Sequence, residues 1–319
     1  MTGKYMAYVG SYSYTGKAKG ITVYDVDVEA GKFIYRCEVE VDNSSYLKSS
    51  QNGKILYSIA DEGVVAFRVL PNGSLARLNS AKIKGMRGCH LSTSKADDYI
   101  FISGFHDGKI TVLHLNEDGS VGDIADGVFH KGLGSVAERS FRPHVSCSRL
   151  TPDLGIDQIK VYRFDHKDGK IALVDTIRCE LESAPKYFMF SSDGRFFYVL
   201  YEMKNVIEVY SYKEGERVPI VEKIQTISST GSKPNQLTAA CAMHFSPDEK
   251  HVFCSNAGDN TVSMYDRDDE TGMLTLRFCL PISGDYPKDI AIFPGGEHLA
   301  SINHEGSISF FKIDYEKGL

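Results

Sequence analysis

The chain has 319 residues, 42% hydrophobic and 24% charged, with a formal net charge of -6. This is globular-protein composition, and a negative field without a long basic stretch excludes a nucleic-acid binder. No run of about 20 apolar residues offers a membrane span, and the opening MTGKYMAYVGSYSYTG lacks the basic-then-apolar order of a signal peptide, so a cytoplasmic protein is expected.

One unit recurs along the chain: an apolar strand, a polar turn with Asp or Gly, an alternating strand, and a third alternating strand ending in an aromatic. A partial copy, YMAYVGSYSYTGKAKGITVYDV, opens the chain. Weaker copies start at Ser45 (SYLKSSQNGKILYSIADEGVVAFRV), Gly88 (GCHLSTSKADDYIFISGFHDGKITVLHL) and Pro143 (PHVSCSRLTPD). Clear copies run over 184–212 (APKYFMFSSDGRFFYVLYEMKNVIEVYSY), 239–267 (AACAMHFSPDEKHVFCSNAGDNTVSMYDR) and 286–314 (YPKDIAIFPGGEHLASINHEGSISFFKID). A glycine turn and a fourth stretch follow the third strand, as in PNGSLARLN and ETGMLTLRF. The turn glycines are Gly31, Gly73, Gly119, Gly169, Gly215, Gly272 and Gly318, a period of 42 to 50 residues stretched to 57 by the insert at 229–238.

Seven units of four short strands predict an all-β fold, a seven-bladed β-propeller of four-stranded antiparallel blades, forming one domain over residues 1–319. A β-sandwich has no reason to repeat seven times. Two departures stand out. From Pro152 to Tyr162 the fourth unit has 11 residues where the units ending at Tyr210 and Tyr265 have 19, so it is short by a strand after Asp153. The first unit lacks an opening strand and the chain stops at Leu319 before a final one, so residues missing at 153/154 and after Leu319 are expected rather than an open ring with bare strand edges.

The seven cysteines, Cys37, Cys89, Cys147, Cys179, Cys241, Cys254 and Cys279, are scattered without a CxxC pair and read as reduced core residues. No HxxxH, HxH or HExxH spacing occurs, and the acidic run YDRDDETG (265–272) reads as a solvated turn, so no metal is expected. The GLG run at 132–134 lacks the strand-to-helix context of a phosphate loop, and there is no GxSxG elbow; no cofactor is expected either.

The segment GLGSVAERSFRPHVSCSRLTPD (132–153), the following LGIDQIKVYRFD, the GSY opening and the SPD…SN.GDNTV unit resemble the lactonase propeller family, which includes bacterial 6-phosphogluconolactonases and fungal enzymes that cyclise a carboxymuconate. The resemblance implies hydrolysis of a sugar lactone in a central channel. The family's site carries over unevenly. His144 matches the first His of a PHxH element whose second falls on Ser146; the element GPRH is APKY, placing Lys186 and Tyr187 at its Arg and His; the acidic residue closing the next strand is Glu202; SNRG is SNAG, leaving Asn256 with Ala257 at the Arg; and Arg139 matches an Arg before PHxH.

Opening a lactone needs a base to activate water and cationic or hydrogen-bonding groups for the oxyanion. His144 and Glu202 form the candidate acid/base pair, and Arg139, Lys186 and Asn256 the candidate substrate-binding set. A lysine presents a point charge where arginine presents a planar fork, and Ala257 removes a cation outright, which weakens the grip on a phosphosugar. Taken without the resemblance, His90, His144 and His244 at inner-strand starts read as hydrogen-bonded channel residues, Glu202 as a solvated or Lys204-paired carboxylate, and Lys186 as a surface lysine. The leading expectation is a lactonase acting on a small-molecule lactone or sugar acid, a monomer or weak homo-oligomer; the alternatives are a non-catalytic binding platform and a muconate-type isomerase.

Overall fold

The structure, a computed structural model, describes residues 5–131, 144–147, 157–231, 237–304 and 306–319. The chain divides into two compact units, residues 1–26 with 33–178, and residues 27–32 with 179–319.

In the first unit the strands follow as four consecutive antiparallel sheets. They are β1 (Tyr5–Gly10), β2 (Gly20–Asp27) and β3 (Lys32–Glu40); β4 (Leu47–Ser49), β5 (Ile55–Ala60), β6 (Gly63–Val69) and β7 (Leu75–Lys82); β8 (His90–Thr93), β9 (Tyr99–Gly104), β10 (Lys109–Leu115) and β11 (Val121–Phe129); and the pair β12 (Gln158–Asp165) and β13 (Lys170–Arg178). The second unit holds β14 (Pro185–Phe190), β15 (Phe196–Tyr201), β16 (Val206–Lys213) and β17 (Ile220–Ser228); β18 (Ala239–Phe245), β19 (His251–Ala257), β20 (Thr261–Arg267) and β21 (Leu274–Pro281); and β22 (Pro287–Ile292), β23 (His298–Asn303) and β24 (Ile308–Lys312). No helix among the described residues is long and apolar enough to cross a membrane.

Four strands per sheet hold in four of these seven sheets. Six have three or four strands, and the seventh, β12–β13, has two among the described residues. The three-stranded sheets are the first and the last, where an opening and a closing strand are absent from the sequence pattern. The 153/154 junction lies outside the described residues. Within the fourth repeat, Val145 N–H donates to Gly104 O at 3.3 Å, fastening residues 144–147 to the end of β9.

Burial explains the strand order. Second strands such as FFYVLY in β15 are buried throughout, because both sheet faces are covered there, and their sequences are continuously apolar. Fourth strands such as β17 alternate between half-buried and exposed residues, as a sheet margin requires. Sheets pack face to face within each unit: Tyr57, Ile59, Leu91, Ile100 and Ile102 fill one such core in the first, and Tyr198, Leu200, Met243, Val252 and Tyr265 one in the second. Each fully buried side chain of this size contributes about 1.5–3 kcal/mol.

A tyrosine on one sheet reaches the turn glycine of the next: Tyr8 Oη–H donates to Gly73 O at 2.9 Å, Tyr57 to Gly119 O at 3.1 Å and Tyr198 to Gly272 O at 2.8 Å. Gly272 has φ +72°, and a Cβ there would stand 2.4 Å from the Phe196 ring, so both backbone and neighbour demand glycine.

Candidate functional site

In the second unit all three inner strands begin with the same irregularity. β14 pairs Pro185 with Tyr201 and then Tyr187 with Leu200, leaving Lys186 bulged; β18 pairs Ala240 with Asn256 and then Ala242 with Ser255, leaving Cys241 bulged; β22 does the same at Lys288. A bulge interrupts the two-residue alternation and re-aims one side chain. Here it brings Lys186 Nζ to 3.0 Å from Glu202 Oε1 and 3.7 Å from Cys241 Sγ. Glu202 continues β15, its N–H donating to Ala184 O at 2.9 Å, and its own carbonyl accepts Ala240 N–H at 3.4 Å. The backbone of Glu202 is therefore anchored between two sheets.

The Lys186 and Glu202 side chains are each 28% exposed, so the pair is reachable by solvent. Burial pulls the Lys186 ammonium down, but Cys241 and Glu202 outweigh it and leave its pKa above the ordinary lysine value. Burial also raises the Cys241 thiol, with Lys186 opposing.

Lys204 is not the partner of Glu202; it pairs with Glu180 at 2.9 Å. Asn256 is fully buried, and its amide donates to Ser229 O at 2.8 Å, Thr261 Oγ1 at 3.2 Å and Ser263 Oγ at 3.3 Å. It ties the end of β19 to β20 and to the loop after β17 rather than presenting a donor to the Lys186–Glu202 pair, because its amide hydrogens are taken by these partners. Ala257 is likewise fully buried. Tyr187 lies 5.6 Å from the ring of His244, whose Nε2 is 2.8 Å from Asp289 Oδ1, which fits the hydrogen-bonded reading of that histidine.

In the first unit the described part of the fourth repeat carries His144. Its Nδ1 is hydrogen-bonded to Phe105 O and its ring stacks on Phe105 at 4.3 Å. A carbonyl only accepts, so Nδ1 bears the proton and Nε2 keeps its lone pair in the neutral ring, the form a general base requires. His90 is buried at 2% exposure, its ring centroid lies 4.5 Å from that of Tyr46 with the planes tilted by 46°, and its Nε2 is 3.3 Å from Cys147 Sγ. Cys89 Sγ donates to Val145 O at 3.1 Å, and burial lifts its thiol to about 12. Ser146 Oγ is buried and without a hydrogen bond among the described residues. Arg139 lies outside the described residues.

The second unit holds a carboxylate with an ammonium beside it, and the first an imidazole of set tautomer. Sequence reasoning did not single out Cys241 beside Lys186, nor Cys147 beside His90. A cysteine at a strand start carries no periodic signal that separates it from a core thiol. All seven cysteines are free.

The family described as "Lactonase, 7-bladed beta-propeller" matches residues 6–319. The 6-phosphogluconolactonase of Bacillus subtilis is 27% identical over 330 residues, covering 99% of this chain and 93% of that protein, and that of Formosa agariphila is 26% identical, covering 98% and 93%. A crystal structure from Bacteroides fragilis superposes with a TM-score of 0.88 at 28% identity, covering 100% of this chain and 93% of that one. The periplasmic gluconolactonase of Pseudomonas aeruginosa shares the fold, with a TM-score of 0.89 at 24% identity over 99% of this chain and 94% of that one. With its repeating antiparallel sheets and a match over nearly its whole length, this chain belongs to the lactonase seven-bladed β-propeller family.

Proposed function

We propose that the protein is a lactonase that hydrolyses a sugar lactone of the 6-phosphogluconolactone type by general acid/base catalysis, as one cytoplasmic seven-bladed propeller domain. The observation that carries the reading is the Lys186–Glu202 contact: a solvent-reachable carboxylate and ammonium fixed by two bulged strands in a chain related to proteins named 6-phosphogluconolactonase.

In this reading Glu202 accepts a proton from the attacking water through Oε2, since Oε1 is engaged by Lys186. Water oxygen bonds to the lactone carbonyl carbon, and the Lys186 ammonium stabilises the oxyanion. Collapse breaks the bond to the ring oxygen, which takes the proton that Glu202 accepted from the water, and His144, with Nε2 unprotonated, is assigned as the second base. Arg139 is assigned to the anionic part of the substrate on the family resemblance, and Asn256 to positioning the end of β19.

The test is acid release from 6-phosphogluconolactone and from δ-gluconolactone by the purified protein, corrected for spontaneous hydrolysis. Turnover of either supports the lactonase reading, and faster turnover of the phosphorylated compound supports the phosphosugar assignment. Rates equal to buffer for both overturn it in favour of a binding platform.

A further inference from the structure

The β1–β2 loop carries two exposed aromatics side by side. Tyr12 is 45% and Tyr14 73% exposed, with ring centroids 5.7 Å apart and planes inclined at 55°. Aromatic rings left in water are ordinarily mobile, yet this loop is tightly held. Asn43, 8% exposed and in the left-handed region at φ 52°, accepts the N–H groups of Ser13 at 2.9 Å and Tyr14 at 3.1 Å on Oδ1, and its own N–H donates to Ser13 Oγ at 2.9 Å. Its Nδ2 donates to both oxygens of Asp61, at 2.9 and 3.0 Å. Asp61 in turn pairs with Arg87 at 3.2 Å, and the Arg87 guanidinium lies 4.9 Å over the Tyr12 ring.

The loop bearing Arg87 runs on to His144. Met86 N–H donates to Asp107 Oδ2 at 2.9 Å, within the β9–β10 turn whose Phe105 carbonyl holds His144. Cys89 Sγ touches Val145 O. At the other end of the loop, the buried Lys109 ammonium donates to Ile83 O at 2.8 Å and Lys84 O at 3.2 Å. The tyrosines and the histidine are thus linked by one clamped loop.

We propose that Tyr12, Tyr14 and Arg87 form a preorganised platform on which a pyranose ring stacks, so that the preferred substrate is a lactone bearing a further glycosyl unit. This rests on the lactonase reading and on His144 as part of its machinery. The C–H face of a pyranose packs on an aromatic ring, while the tyrosine hydroxyls, the Asp61 carboxylate and the Arg87 guanidinium offer the donors and acceptors that ring hydroxyls need. Arg87 and Asp61 cancel each other's charge, so the platform selects a neutral sugar rather than an anion. Ordering the tyrosines before binding removes the entropic penalty that flexible exposed side chains impose on a ligand.

The experiment is calorimetric titration with two product acids, lactobionate, which carries a galactosyl ring on gluconate, and gluconate itself. The native protein is expected to bind lactobionate about fivefold to tenfold more tightly. Tyr12→Ala and Tyr14→Ala are expected to reduce that preference to within about twofold while leaving gluconate affinity and δ-gluconolactone hydrolysis unchanged. Equal affinities in the native protein, no binding of lactobionate, or a preference that survives the double variant would overturn the platform. Absence of δ-gluconolactone hydrolysis with the preference intact would instead remove the lactonase reading and leave the sugar platform standing.

Discussion

Lys186 and Glu202 are held together by the same two strands: Glu202 N–H is bonded to Ala184 O at 2.9 Å, and Lys186 Nζ, two residues after that carbonyl, reaches Glu202 Oε1 at 3.0 Å. The backbone bond fixes where both side chains start, so the contact is set by the strand pairing at the start of β14. An ion pair this accessible adds little to stability, about 1 kcal/mol or less, so its value lies in the fixed direction of its charges.

Glu202→Gln should lower lactone hydrolysis by about 10²–10⁴-fold while shifting stability by no more than about 1 kcal/mol. Initial rates of acid release together with urea midpoints check both halves. His144→Ala should give a loss of the same order, and native rates in either variant would remove that residue from the mechanism.

Because Glu202 helps hold the Lys186 pKa above its ordinary value, the ammonium persists to more alkaline pH than a free lysine. Removing the carboxylate must lower that pKa and raise the fraction of free amine. Acetic anhydride at pH about 9 should therefore modify Lys186 faster in Glu202→Gln than in the native protein, as read by peptide mass spectrometry.

Asp193 accepts the Ser191 hydroxyl at 2.6 Å and the Arg195 backbone N–H at 3.0 Å, and these bonds, the hydroxyl's foremost, hold its carboxyl down at about 2. A depressed folded-state pKa contributes stability above the ordinary value of 3.8 that is lost as pH falls from there towards about 2. Thermal midpoints measured across this window should fall less steeply for Asp193→Asn than for the native chain.

Glu208 is buried in β16, where it accepts the Tyr210 hydroxyl and Lys223 Nζ at 2.9 Å. Glu208→Leu strips the buried hydroxyl of its carboxylate acceptor, leaving it only the Tyr201 hydroxyl at 3.2 Å among the described residues, and should destabilise by about 1–3 kcal/mol. Lys223→Met, which removes a half-exposed cation, should cost below about 1 kcal/mol. Denaturant midpoints that rank the two variants the other way would show that the ion pair, not the hydroxyl, matters more.

Gly272 and Gly194 have nearly the same backbone, φ +72° and +70°, but a Cβ at Gly272 meets Phe196 at 2.4 Å while at Gly194 nothing lies within 4 Å. Alanine at either adds left-handed strain of about 1–2 kcal/mol. Gly272→Ala should be clearly the more destabilising in thermal unfolding, the difference reporting the contact between neighbouring sheets.

The repeat was legible because strands buried on both faces must be continuously apolar and margins must alternate, and FFYVLY and IVEKIQTIS show those two patterns without any coordinates. The turn glycines were legible for a related reason, since positive φ at Gly73, Gly119 and Gly272 and the close approach of a neighbouring side chain leave little choice of residue. Lys186 and Glu202 were named as site residues, but on resemblance. Taken without the resemblance, they read as a surface lysine and a solvated or Lys204-paired carboxylate.

What the sequence determined by itself, then, is the all-β repeat and its period, because burial on a sheet imposes a two-residue rhythm that the residues must obey. The tertiary structure alone decided which polar groups meet. Lys186 and Cys241 stand 55 residues apart in the chain and are brought together by bulges that break the alternation by one residue. Asn256 meets Ser229 and Ser263, which lie 27 and 7 positions away in the chain. The pairing of Tyr12 with Arg87 depends on loops, which have no period to read, and on a buried asparagine whose partners lie in separate repeats.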